Sequence, residues 1–268
     1  MQQAPPRASE QRRTREDLQQ PLDPAEIERR VSKVLGLIAT SHQLAPFDRS
    51  SFNQALVIWK AVADIPAVQR KQLVERVPAE DIHRLWRVAG QRCLAPTSDV
   101  RLALGPDYFV WDDFPDTPNQ VAVFDGKATA FGGGPLHLNR FQKAFFLHPR
   151  TLDMYGRVLL HKGPLGELLY PLYYRASVGP GAVPATREVT EMQLEYLQPD
   201  ALGLTAADLP PEQHWPAPKG PLYPFSGDLT DYLRPVGPGV YVGVGWKAAR
   251  KGKDQGRRFL SFILAKAP

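Results

Sequence analysis

Apolar positions recur with a helical period over residues 24–90 and with a strand period beyond about residue 100. Asp23-Pro24-Ala25-Glu26 supplies an N-cap acid, a proline at the first helical position and an early glutamate, which opens a helix. Ile27, Val31, Val34, Leu35 and Ile38 then fall on one face, with Arg29, Arg30 and Lys33 opposite. A second helix is predicted from near Ser50 through Phe52, Leu56, Trp59 and Val62. Pro66 interrupts it, and Val68, Leu73 and Val77 lie on the next segment. Pro78 opens a last helix with Ile82, Leu85, Trp86 and Ala89 on one face and Gly90 placed to end it. The short links predict a compact helical region over 23–92.

Short aromatic and β-branched runs follow: Tyr108–Trp111, Val121–Phe124, Lys143–His148, Tyr155–His161 and Leu168–Arg175. They recur with turn residues between them, as in a meander or barrel. Asp125-Gly126, directly after the second run, reads as a hairpin turn. Residues 176–224 are rich in proline, including Pro180, Pro184, Pro199, Pro210, Pro211, Pro216, Pro218 and Pro221. That stretch reads as a long excursion over the surface, covering a barrel mouth, with one strand near Met192–Tyr196 inside it. Leu229–Val236, Val240–Trp246 and Phe259–Ala265 are further strands, with Gly237-Pro238-Gly239 as a turn. The last two form a hairpin with a basic tip. The fold class expected is α+β: an N-terminal helical segment, then an antiparallel β-barrel over 100–268.

Composition narrows the picture. An apolar fraction of 43% with 23% charged residues is that of a folded chain, and 268 residues are enough for a substantial core. Residues 1–22 read as a disordered tail: arginines alternate with acids, and neither a secretory apolar segment nor an acid-poor transit peptide is visible. The single cysteine, Cys93, excludes an intrachain disulfide and a cysteine-based zinc site. No apolar run reaches the roughly 20 residues that span a bilayer, so the chain is expected to be soluble or peripherally attached.

Charge is concentrated at one place. Between Lys247 and Arg258 lie Lys247, Arg250, Lys251, Lys253, Arg257 and Arg258 against Asp254 alone, a local excess equal to the formal +5 of the whole chain. Such a tip suits anionic head groups or phosphates, and is also what a solvated hairpin loop looks like. It lacks interleaved aromatics, which makes single-stranded nucleic acid a poorer partner. In the strand before it, Gly243 and Gly245 share one face, as where a sheet bends sharply or a ligand approaches.

No catalytic motif commits the chain to a reaction. Gly132-Gly133-Gly134 lacks the Gly-Lys-Ser/Thr of a phosphate loop, and G-x-S-x-G and H-E-x-x-H are absent. The six histidines are scattered, and neither a metal site nor a cofactor is expected. Aromatic residues are dense, and Trp111, Phe124, Phe131, Phe145, Tyr174, Tyr241 and Trp246 are candidates to line an apolar pocket, since an eight-stranded barrel can hold one small ligand.

The order of elements resembles the plastid lipid-associated proteins, or fibrillins. The segment Val34-Leu35-Gly36-Leu37-Ile38-Ala39-Thr40 resembles their first helix and short loop. Asp231-Tyr232-Leu233-Arg234 and Phe259–Lys266 are similar to their closing acidic-Leu-Arg segment and terminal hydrophobic strand. The resemblance implies a lipocalin-type barrel that binds or organises lipids or isoprenoids, and a plastid location; without it a cytoplasmic one is expected. The leading expectation is a non-enzymatic binder of a hydrophobic small molecule or lipid, its basic hairpin facing an anionic membrane surface. Its rivals are a barrel-cavity enzyme using Asp231, Tyr232 and His161 as acid–base groups, and an interaction subunit of a larger assembly.

Overall fold

The computed structural model describes residues 20–42, 53–94, 110–118, 120–129, 140–160, 172–221, 225, 229–248 and 256–268. Four helices come first: α1 (Pro24–Ala39), α2 (Gln54–Ala63), α3 (Lys71–Arg76) and α4 (Ala79–Ala89). Eight antiparallel strands follow: β1 (Val121–Ala128), β2 (Phe141–Leu147), β3 (Met154–Leu160), β4 (Tyr173–Ala182), β5 (Val189–Glu195), β6 (Leu229–Gly237), β7 (Val240–Lys247) and β8 (Arg257–Lys266). Each pairs with the next, and β8 returns to β1, so the sheet closes as a barrel. Closure gives every strand a neighbour on both sides, so none is an edge strand.

Local chemistry sets the helices. Asp23 accepts hydrogen bonds from the Ala25 and Glu26 amides, and Glu26 pairs with Arg29 and Arg30. Ile27, Val31, Val34 and Ile38 are buried, each contributing about 1.5–3 kcal/mol relative to exposure. They pack, with Ile58, Leu85 and Trp86, onto the outward side chains Tyr232, Val236, Val240, Val242, Val244 and Ile263 of β6 to β8. The helices thus form a second layer on one flank of the barrel. The α4–barrel joint is fixed by Arg234: its guanidinium lies 3.8 Å over the Trp86 ring and donates to the Trp86 and Val189 carbonyls.

Gly90 caps the end of α4 as expected, with a right-handed φ of −62°, and the chain runs on into a 3-10 turn at Gly90–Leu94. A Cβ there would lie 2.9 Å from Arg234 Nη1, so the glycine makes room for that guanidinium. Several sequence expectations need correction. Asp125-Gly126 is not a turn but mid-strand, paired with Gln142 and Phe141. Neighbouring strands held the dipeptide extended, overriding its local preference. Tyr108–Trp111 is not a strand within its described part, because Val110–Asp113 forms a 3-10 turn.

The proline-rich excursion is shorter than 176–224. β4 continues to Ala182 through Pro180 because the ladder slips between Val178 and Gly181, where no amide is needed from the proline. β5 falls inside that range as expected, at the strand read near Met192–Tyr196. What remains runs through α5 (Pro199–Leu202) and two 3-10 turns. Within its described part, Leu202, Leu204 and Leu209 pack on the outward Phe146, Tyr155 and Tyr173. Asp208 latches it, accepting from the Thr205 amide and hydroxyl and from Arg150 Nη2 at 2.8 Å, with His148 Nε2 at 3.3 Å. These bonds hold the Asp208 carboxyl down at about 2.

Candidate site in the barrel

The two ends of the barrel differ. At one end β6 and β7 are joined by a tight turn, while the 3-10 turn at Val110–Asp113 leads Phe114 into the core. Asp113 holds that plug, accepting from the Gly239 amide at 2.9 Å and the Tyr241 hydroxyl at 2.6 Å. Phe114, Phe124, Phe145 and Tyr241 fill the interior there, with ring centroids 4.9–5.8 Å apart. The other end, where β1, β3, β5 and β7 finish and β2, β4, β6 and β8 begin, is open among the described residues.

In that open half the inward alternation carries two charges. On β2 the inward positions are Phe141, Lys143 and Phe145; on β6 they are Leu229, Asp231 and Leu233. Lys143 Nζ lies 2.7 Å from Asp231 Oδ2 and 2.5 Å from the Tyr196 oxygen, and the Tyr196 hydroxyl donates to the same Oδ2 at 2.7 Å. Lys143 is 2% exposed and Asp231 4%. The ammonium also sits 4.9, 5.1 and 5.2 Å from the rings of Tyr174, Tyr196 and Phe262. Rings that present their negative faces partly replace lost hydration.

Burial pushes the Lys143 pKa down, against the opposing attraction of Asp231. Burial pushes Tyr174 and Tyr196 well up, with the Asp231 charge adding to it. Both phenols are therefore neutral donors across the working pH range. Above the triad, among the described residues, a cleft of about 40 Å³ opens toward those strand ends. Its walls are apolar, chiefly Phe141, Val158, Leu160, Phe225, Leu229 and Leu260.

The two glycines of β7 find their explanation here. A Cβ at Gly243 would sit 2.3 Å from the Phe262 ring, and one at Gly245 would sit 2.9 Å from Asp231 Oδ1. Their bare α-carbons leave space for the protein's own ring and carboxylate.

The remaining sequence candidates fall into separate places. Phe124, Phe145 and Tyr241 belong to the filled half, and Tyr174 borders the triad without lining the cleft. Trp111 is 54% exposed on the plug turn, and Trp246 packs against the helix-facing cluster, so neither joins the cleft. Phe131, Arg250, Lys251, Lys253 and His161 lie outside the described residues. Lys247 Nζ rests 4.5 Å over the Phe259 ring, Arg257 is exposed, and Arg258 Nη1 lies 2.6 Å from His83 Nδ1. These three bases stand on the strand ends beside the open end. Of the acid–base trio, only Asp231 reaches the interior among the described residues; Tyr232 is one position along and therefore faces the helices. Lys143 and Tyr196 are the members that sequence reasoning missed. The available signal was a lysine at the inward parity of Phe-Gln-Lys-Ala-Phe, matched by an aspartate at the inward parity of Leu-Thr-Asp-Tyr-Leu.

No described helix is long and apolar enough to cross a membrane. Among the described residues no three His, Cys, Asp or Glu side chains gather as metal ligands. Compared with known proteins, the chain matches no family model, no curated protein and no solved structure.

Proposed function

We propose that the chain binds a small hydrophobic molecule, or the polar end of a lipid, in the open half of a lipocalin-type barrel. The observation that carries this reading is the buried Lys143–Asp231–Tyr196 triad at the base of an apolar cleft. Apolar walls with a few convergent polar groups are the usual chemistry of a ligand site, and a volume of about 40 Å³ takes in the ligand's polar end rather than its whole body. The filled lower half limits the depth of entry, so a chain-like ligand would leave its tail toward the open end. The implied resemblance to the fibrillins fits such a ligand, and the bases at Lys247, Arg257 and Arg258 would bring the open end to an anionic surface.

The triad also restricts the ligand's polar group. Asp231 already balances Lys143, so a fatty-acid carboxylate would place a second anion against a single cation. A neutral alcohol or carbonyl end is favoured. Titration with a fluorescent isoprenoid alcohol and a fluorescent fatty acid tests this, with saturable binding expected and the alcohol tighter. Leu260→Trp, which fills the cleft, should weaken binding. Charge reversal at Arg257 and Arg258 should weaken capture on anionic vesicles while leaving binding of the free probe intact. Absence of saturable binding by either probe would overturn the proposal.

A second reading, a barrel-cavity enzyme, is favoured by one observation. Lys143, Tyr196 and Asp231 are within proton-transfer distance of one another, which is the geometry general acid–base chemistry needs.

A further inference from the structure

We infer that Lys143 is a carbonyl-capturing residue: its Nζ condenses with an apolar aldehyde or ketone entering the cleft to form an imine. This rests on the cleft being a ligand site and goes on to name the ligand's reactive group. Three features carry it. Lys143, Tyr196 and Asp231 all line the cleft, beside Phe141, Leu229 and Phe262, where a carbonyl carbon would be brought toward the amine. Asp231 Oδ2, 2.7 Å from Nζ, and the Tyr196 hydroxyl are placed to take and return protons. The aromatic surround of Tyr174, Tyr196 and Phe262 suits a cation whether it is an ammonium or a protonated imine.

Charge counting separates this chemistry from the alternatives. Before reaction the site holds one cation on Lys143 and one anion on Asp231. After condensation it holds one iminium and the same anion, so no charge is added to or removed from a dry interior. The Lys143 ammonium first passes a proton to Asp231. The free amine then attacks the carbonyl carbon, forming the C–N bond while the C=O π pair moves to oxygen. That oxygen takes the proton from Asp231, giving a carbinolamine. Loss of its hydroxyl as water, with a proton returned through Tyr196 and Asp231, leaves C=N protonated beside the carboxylate. The balance is amine plus carbonyl giving imine plus water, without oxidant or reductant. Burial, which lowers the Lys143 pKa, eases the first transfer. Apolar walls keep out the water that would reverse the last step.

Reductive trapping tests this on the full chain. Cinnamaldehyde with cyanoborohydride should add one mass increment, mapped to the peptide carrying Lys143, at a rate about ten-fold or more above any surface lysine, because a desolvated amine is the activated nucleophile. Cinnamyl alcohol, which has the same shape and no carbonyl, should compete. The same treatment in urea should remove the preference for Lys143. Lys143→Arg should abolish the fast adduct. If that variant does not fold, the double variant Lys143→Met/Asp231→Leu, neutral at both sites, serves instead. If cinnamyl alcohol displaces an apolar probe while no preferential adduct forms at Lys143, the inference is overturned and the binding reading stands. If neither displacement nor adduct occurs, both fall.

Discussion

The closed and open halves of the barrel interior use the same eight strands and the same inward alternation, yet they solve different problems. The closed half is a hydrocarbon core: Phe114, Phe124, Phe145 and Tyr241 stack and meet edge-on, and the polar tip among them, the Tyr241 hydroxyl, is taken up by Asp113. The open half inserts an ion pair one step along β2 and β6, between Phe141 and Phe145 and between Leu229 and Leu233. A buried ion pair rarely adds stability over apolar residues of the same volume, because desolvation offsets its attraction. The closed half is therefore what folding needs. The open half carries a feature that folding alone does not call for, which is why the functional reading rests there.

The largest expected effects test that division directly. Phe145→Ala in the closed half should lose about 3–5 kcal/mol, as truncation of a buried aromatic leaves a cavity. Lys143→Met in the open half should lose a similar ~3–5 kcal/mol, because it strands a buried carboxylate. The two should part company at the second step: adding Asp231→Leu to Lys143→Met should recover most of the loss, whereas no single partner change rescues Phe145→Ala. Urea unfolding of these three variants beside the parent chain measures this. A double variant no more stable than Lys143→Met would mean that the pair supports the fold as well.

Gly243→Ala is expected next, at about 1–3 kcal/mol, since its methyl group would drive into the Phe262 ring. That shift would also disturb the ring beside Lys143, so ligand affinity should fall with stability; intact affinity would show that the ring position is not critical to the site.

The smallest effect lies outside the barrel, at the Asp208 latch. Its folded carboxyl titrates at about 2, below its ordinary 3.8, so the folded state binds fewer protons between those values. The latch contribution is complete above the unfolded value and fades as pH falls from about 4 toward about 2. Amide exchange over 199–215 should rise in that window while the barrel strands stay protected. Asp208→Asn should raise exchange there already at neutral pH.

Much of the architecture was legible because burial on one side imposes a period. Ile27, Val31, Val34 and Ile38 marked α1, and the runs beginning at Val121, Lys143, Tyr155, Met192, Leu229, Val240 and Phe259 all fall on strands of the barrel. The misreadings share a cause: Asp125-Gly126 and Pro180 have strong local preferences, and each was overridden by neighbours that arrive from elsewhere in the chain. The site was half legible. Asp231 stood out as a charge, but its meaning depends on Lys143, a residue 88 positions away that meets it only once β2 and β6 face across a closed barrel. Counting aromatics found the interior without distinguishing its filled half from its cleft, because that difference arises from which rings meet one another.

Closure has a consequence for the order of assembly. Seven of the eight ladders join neighbours along the chain, but the last, between β1 and β8, pairs Phe124 with Lys266. A contact between such distant positions forms late, and until it does the sheet exposes two raw edges that invite pairing with other chains. α3 packs against both β1 and β8. Near it Lys71 pairs with Asp125, and Lys127 Nζ donates to the Glu75 and Val77 carbonyls. The N-terminal helices, made first on the ribosome, thus act as a clasp across the seam, holding the first strand ready until the last one arrives.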